Sequence, residues 1–186
     1  MRPFVDTNVV VYALTDQDPH KQAIAQRLLA ERGAARPSLS TQVLAETYAV
    51  LTRKQRWTAD DALAAVTLLK SLRVVALTPE NQIEALRLAV EHRLSGWDAM
   101  VVQAALQAGC DTLFSEDLQP GRRFGGLEVV NPFDAAVGEP AVARAGLRAP
   151  RPAAPRAAAP RRPATSAPSG PPAHPAPADR ARRPRR

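Results

Sequence analysis

The chain has 186 residues, 45% of them hydrophobic, with 18 prolines and a formal net charge of +7; this suits one domain of ordinary size and excludes two with linkers. The charge is unevenly placed: residues 135–186 hold 12 of the prolines and 11 arginines against two acids, a net of +9, whereas residues 1–134 carry 14 bases and 16 acids, a net of −2. The lone Cys110 excludes an intrachain disulfide and a Cys-rich zinc site, and the early Asp6 and Asn8, with no later run near the roughly 18 apolar residues of a membrane span, predict a cytoplasmic protein without membrane association.

In chain order, Pro3-Phe4-Val5-Asp6 reads as a short buried strand and Thr7 to Leu14 as the helix after it. Lys21 to Arg32 carries Ile24, Leu28 and Leu29 at helical spacing, with Gly33 as its stop. Ser38-Leu39-Ser40 fits a second strand, and Val43, Thr47, Val50 and Leu51 set a helical period. Thr58 and Asp61 predict the start of a helix through Leu69, and the β-branched run Arg73-Val74-Val75-Ala76-Leu77 a buried strand. Thr78-Pro79-Glu80 opens another helix with a cap, a proline and an acid in its first turn.

Ser95-Gly96-Trp97-Asp98 starts a helix that runs to Ala108 and stops at Gly109. Asp111 to Ser115 reads as a strand, Glu116 to Gly126 as a loop, and Leu127 to Val130 as the last strand. Strands alternating with helices predict an α/β fold, a three-layer α/β/α sandwich around a mainly parallel sheet, over residues 1–134. Residues 135–186 are dominated by Pro, Ala and Arg and have few large apolar side chains, so a disordered basic tail is expected there.

In open parallel sheets ligands bind at the carboxyl ends of the strands. Asp6 stands at one such end and Asp117 just past another. Either acid alone is as well explained as a helix cap or a loop residue. Asp98 shares a helical stripe with Val101, Val102 and Ala105, so an acid lies along the face that should pack inward; Ser95-x-x-Asp98 also fits a capping box, and both roles can hold at once. Glu46 lies mid-helix at the border of an apolar arc, where a solvated position is the simpler account. Four acids on four elements near the strand ends would repel one another unless a divalent cation neutralised them. Carboxylate oxygens suit Mg²⁺ or Mn²⁺, and such a site serves hydrolysis of phosphodiesters.

Other catalytic plans lack parts. There is no G-x-G-x-x-G, no Walker lysine loop and no G-x-S-x-G, and His20, His92 and His174 fall at no metal spacing; His20 and His92 read as surface helix residues. RNA attraction in a mildly acidic domain falls to local cations such as Arg53, Lys54, Arg56, Arg122 and Arg123.

Four blocks carry a family resemblance: Phe4-Val5-Asp6-Thr7-Asn8, Ser40-Thr41-Gln42-Val43-Leu44-Ala45-Glu46, Leu94-Ser95-Gly96-Trp97-Asp98-Ala99 and Leu113-Phe114-Ser115-Glu116-Asp117-Leu118. In this order and spacing they resemble the motif blocks of PIN-domain proteins, in particular the VapC-like toxins of bacterial toxin–antitoxin pairs, over about Met1 to Phe133. The resemblance implies an Mg²⁺- or Mn²⁺-dependent endoribonuclease whose catalytic and metal-binding acids match Asp6, Glu46, Asp98 and Asp117, with Asn8 and Ser115 as supporting hydrogen-bond residues. It also implies an RNA substrate, a cognate antitoxin protein and a homodimer. The basic tail lies outside the family pattern. Two other readings compete: a catalytically silent PIN-like module that binds metal or a partner, and a phosphohydrolase of small phosphates, for which Asp6-Thr7-Asn8 lacks the second Asp.

Overall fold

The computed structural model describes residues 1–134, so the expected disordered tail at 135–186 lies outside the described residues. Strands β1 (Pro3–Val5), β2 (Ser38–Ser40), β3 (Arg73–Val75), β4 (Thr112–Phe114), β5 (Arg123–Phe124) and β6 (Leu127–Val130) form one sheet in the order β3-β2-β1-β4-β6-β5. All neighbours pair in parallel except β5 and β6. The connections to β2 and β3 leave β1 in one direction and the connection to β4 returns past it, so the sheet switches direction between β1 and β4. That is where an open sheet leaves a crevice at its carboxyl edge.

Six helices cross over between the strands: α1 (Thr7–Leu14), α2 (Pro19–Ala30), α3 (Thr41–Arg53), α4 (Ala59–Leu69), α5 (Pro79–His92) and α6 (Gly96–Gln107). Right-handed crossovers send α1 to α4 to one face and α5 and α6 to the other. The packing agrees, since α1 meets α2 and α3, α3 meets α4, and α5 meets α6. Between the layers Phe4, Leu39, Leu113, Val102 and Val129 are wholly buried. The expected three-layer sandwich is therefore present.

The helix starts follow the side-chain chemistry. Thr58 Oγ1 accepts from the Asp61 N–H at 3.1 Å, Thr78 caps α5 in a reciprocal arrangement with Asn81, and Ser95 Oγ accepts from the Asp98 N–H at 3.0 Å. Helix α2 begins two residues before the predicted Lys21, because Asp18 accepts from the His20 and Lys21 N–H groups and Pro19 suits the first helical position. It also ends at Ala30, and Gly33 opens a short 3-10 turn, Gly33–Ala35, instead of stopping the helix.

Two strand readings need correction. The run at Arg73 is an edge strand, with Arg73 exposed and Val74 and Val75 half-buried, rather than a fully buried one. Inside the predicted loop at Glu116 to Gly126, β5 forms a hairpin with β6. Its register pairs Arg123 with Glu128 and Phe124 with Leu127, leaving Gly125-Gly126 as a two-residue turn in which Gly125 has φ +60°. That left-handed conformation suits a glycine pair in a tight hairpin.

Candidate active site

Asp6 follows β1 directly and is 6% exposed. Its Oδ1 caps α1 by accepting from the Thr7 N–H at 2.6 Å, and its Oδ2 accepts from Ser115 Oγ–H at 2.7 Å and from the Asn8 amide at 3.2 Å. Ser115 and Asp117 follow β4, the strand beside β1. Asn8 Nδ2 lies 3.4 Å from Ser115 Oγ and donates to Asp117 Oδ2 at 3.1 Å, while Asn8 Oδ1 accepts from the Glu116 N–H at 3.3 Å. Ser115 Oγ also accepts from the Asp117 N–H at 3.2 Å. Two acids distant in sequence are thus joined through one amide and one hydroxyl at the switch point.

Glu46 reaches the same place from α3: its Oε2 accepts from Thr7 Oγ1–H at 2.7 Å, and Gln42 Nε2 stands 3.5 Å from Oε1. Asp98 lines the same cleft, of about 500 Å³, together with Asp6, Asn8, Glu46 and Asp117. Among the described residues its carboxylate has no hydrogen-bond partner; the cap at Ser95 uses only the Asp98 backbone. The sequence-predicted residues Asp6, Asn8, Ser115 and Asp117 therefore form one network, Glu46 joins it through Thr7, and Asp98 shares the cleft without a hydrogen bond to the others.

Burial raises the Asp6 pKa from its ordinary 3.8 to about 6, chiefly because a desolvated carboxylate resists ionisation; the hydrogen bonds from Ser115 and Thr7 pull it down, and the charges of Asp117 and Glu46 push it further up. Among the described residues no Lys, Arg or His pairs with Asp6. The cleft thus presents carboxylate oxygens of like charge with the most buried one lacking a positive partner. That donor set fits a hard divalent cation in type and charge. It is not a ready-made cage: among the described residues no three His, Cys, Asp or Glu side chains stand close enough to enclose an ion, and the Asn8 amide bridges Asp6 and Asp117.

Some residues of the site left no mark in the sequence. Thr7 anchors Glu46, although its hydroxyl could have faced either way on α1. Lys21, from α2, forms an ion pair with Glu116, donates to Tyr12 Oη at 3.1 Å, and has its Nζ 4.6 Å and 5.2 Å from the ring centres of Tyr12 and Phe133. Those bonds hold the Lys21 pKa above its usual value, the Glu116 hydrogen bond being the largest cause. Of the cations expected to attract RNA, Arg53 and Lys54 line the cleft. Arg122 instead donates to the His92 carbonyl and lies over the Phe124 ring, and Arg123 pairs with Glu128. His92 is only half-exposed, its ring edge-on to Phe124 at 5.1 Å, while His20 is exposed as expected.

The family model for the PIN domain matches residues 4–123. The chain belongs to the PIN-domain family. None of the curated proteins matches it significantly. Among solved structures it is similar to VapC20 of Mycobacterium tuberculosis, described as a Sarcin-Ricin loop cleaving toxin, at 28% identity and a TM-score of 0.52, over 62% of this chain and 91% of that one. Two further likenesses concern the fold alone. A toxin–antitoxin complex from Klebsiella pneumoniae has 16% identity and a TM-score of 0.53, over 71% of this chain and 98% of that one. VapBC2 from Rickettsia felis, bound to a DNA fragment from its promoter, has 16% identity and a TM-score of 0.51, over 69% and 97%. The four motif blocks that carried the resemblance lie within the matched residues.

Proposed function

We propose that this PIN-domain protein is an Mg²⁺- or Mn²⁺-dependent endoribonuclease, the toxin of a toxin–antitoxin pair, with residues 1–134 as the nuclease domain. The observation that carries the reading is the joining of Asp6 and Asp117 through Asn8 and Ser115 at the β1–β4 switch point, with Glu46 and Asp98 on the same cleft. The PIN-domain match and the likeness to a toxin that cleaves the Sarcin-Ricin loop support it.

In this reading Asp6, Asp98 and Asp117 hold the cation, and Glu46 is a further ligand or the acid that orients the attacking water. A bound Mg²⁺ or Mn²⁺ supplies the positive charge that makes water a stronger nucleophile near neutral pH and steadies the phosphate. Asn8 and Ser115 hold Asp6 and Asp117 beside each other, and the acids would have to draw closer around the Asn8 amide to enclose the ion. Glu46 Oε2 is held by the Thr7 hydroxyl at 2.7 Å, whereas Oε1 receives only the long 3.5 Å contact from Gln42. Oε1 is therefore the more weakly engaged oxygen and the one assigned to take a proton. Water oxygen bonds to phosphorus, its proton passes to the carboxylate, the phosphorus–sugar oxygen bond breaks, and the leaving oxygen takes a proton from solvent.

Partners follow from the same reading: an RNA substrate, a cognate antitoxin and a second copy. For the second copy, Ile83, Leu86 and Val90 present an apolar face on α5 that is 51%, 50% and 83% exposed. Arg87 and Glu91, of opposite charge and one turn apart, border this face, an arrangement that suits a self-complementary two-fold pairing. Among the described residues no helix is long and apolar enough to cross a membrane, and the lone Cys110 is a free thiol; we place the protein in the cytoplasm.

The test is incubation of the purified full-length protein with RNA. EDTA is expected to stop cleavage and Mg²⁺ or Mn²⁺ to restore it, whereas Ca²⁺ should bind and support cleavage poorly. Cleavage undiminished in EDTA removes the metal from the mechanism. Metal binding without product, for any RNA supplied, favours the silent binding module.

A further inference from the structure

The cleft has a directional wall. On α3 the residues Gln42, Glu46, Ala49 and Arg53 share one face, spaced by three to four residues, and that face spans about 16 Å at the helical rise. At its middle Glu46 belongs to the acidic network. At its carboxyl end Arg53 and Lys54 line the cleft, exposed, with no ion-pair partner among the described residues despite the acids nearby. At its amino end Gln42 Nε2 lies 3.4 Å from the Trp97 carbonyl, and Trp97 stands on the cleft rim with 61% of its surface exposed. An indole at a cleft rim offers a flat apolar face on which an unpaired base can stack.

We propose that Trp97 is a base-stacking residue and that α3 lays out a track for one unpaired RNA strand, with a base on Trp97, the scissile phosphate over the acids, and flanking phosphates on Arg53 and Lys54. The inference rests on the ribonuclease reading and adds which side chains of this protein grip the strand on either side of the acids. Acids alone repel a polyanion, so a strand held at the cleft needs contacts on either side of them. Stacking on an aromatic face supplies one kind and unpaired guanidinium and ammonium groups the other. A base can lie on Trp97 only if it is not already stacked and paired in a duplex, which makes single-stranded or looped RNA the class that fits. Trp97 is also the residue before Asp98, so a base fixed there bears directly on the position of the phosphate.

The experiment measures binding of a fluorescein-labelled single-stranded RNA of mixed sequence, and of the same strand in a duplex. It uses full-length protein carrying Asp117→Asn so that the RNA survives, in about 200 mM salt, where contacts made by charge alone are weakened. The single strand is expected to bind more tightly than the duplex. Trp97→Ala should weaken single-strand binding by about 5- to 100-fold, the contribution of one stacked base, and Trp97→Phe should retain it within about 3-fold. In a Trp57→Phe background Trp97 is the remaining tryptophan, and its emission should be quenched as RNA is added; this reading does not depend on the folding of Trp97→Ala. Equal single-strand affinity for Trp97→Ala and its parent, unaltered Trp97 emission, or a loss of affinity that follows only from a changed oligomeric state in sedimentation overturns the proposal. Without the Asp117 change, a Trp97→Ala protein that cleaves RNA with unaltered kcat/KM overturns the stacking role and leaves the nuclease standing; a parent that neither binds nor cleaves RNA overturns both.

Discussion

Lys21 on α2 pairs with Glu116, the residue immediately before Asp117, and the Glu116 backbone N–H in turn donates to Asn8. Through that chain of contacts an ammonium group outside the acidic cleft holds the turn that carries one of its acids. Both partners are mostly shielded from solvent, with side-chain exposures of 23% and 29%, so the pair lies between a surface ion pair and a buried one. Lys21→Met should destabilise the fold by about 1–2 kcal/mol and weaken Mn²⁺ binding, with Lys21→Arg restoring most of both. Thermal melting and Mn²⁺ titration followed by electron paramagnetic resonance check this. Unaltered Mn²⁺ affinity in Lys21→Met disconnects the pair from the site.

Asp98 separates chemistry from folding. Its carboxylate makes no hydrogen bond among the described residues, while its backbone N–H is capped by Ser95. Asp98→Asn should therefore abolish cleavage with stability within about 0.5 kcal/mol of the parent, and Ser95→Ala should cost about 1 kcal/mol and leave cleavage in place. Denaturant unfolding beside an RNA cleavage assay reads both. Near-parental cleavage by Asp98→Asn would remove it from the site.

The raised pKa of Asp6 predicts a pH dependence in chelator. Because the folded protein holds this proton up to about pH 6 while the unfolded chain releases it near 3.8, the contribution of Asp6 to stability is full below about pH 4. It declines as pH rises through 6, a loss of about 3 kcal/mol. Asp6→Asn should flatten that part of the curve, and Mg²⁺ should recover stability at neutral pH by binding the ionised form. Melting curves between about pH 4 and 8 decide it; parallel slopes for parent and variant defeat the prediction.

Removal of residues 135–186 takes away 11 arginines and a net charge of +9. With Asp98→Asn in both forms, the shorter protein should bind RNA more weakly at low salt and with a shallower dependence of log affinity on log salt, since fewer phosphates are neutralised. In the active background the cleavage chemistry should persist. Coincident salt slopes exclude an RNA-binding role for that segment.

The fold was legible where local chemistry and periodicity agreed. Thr58, Thr78 and Ser95 each begin the helix that their hydroxyl can cap, and the short apolar strands fall into one parallel sheet. Asp6 and Asp117 could be singled out because each sits at or just past a strand end, and the sheet order makes those ends neighbours, whereas Asn8 and Ser115 were suggested only by the family resemblance. The hairpin at Gly125-Gly126 was missed because β5 has two residues, too few to show alternation. The edge position of β3 depends on sheet order, which no local run reports. Thr7–Glu46 and Lys21–Glu116 are contacts between groups 39 and 95 residues apart, created by packing of the helices and not by any spacing in the chain.

Both margins of the sheet carry an arginine on a very short strand: Arg73 on β3 at one side and Arg123 on β5 at the other, each exposed. A strand from another molecule adding to either margin would gain two or three residues of ladder at most and would meet a guanidinium group, so the sheet resists lengthening into an edge-to-edge aggregate.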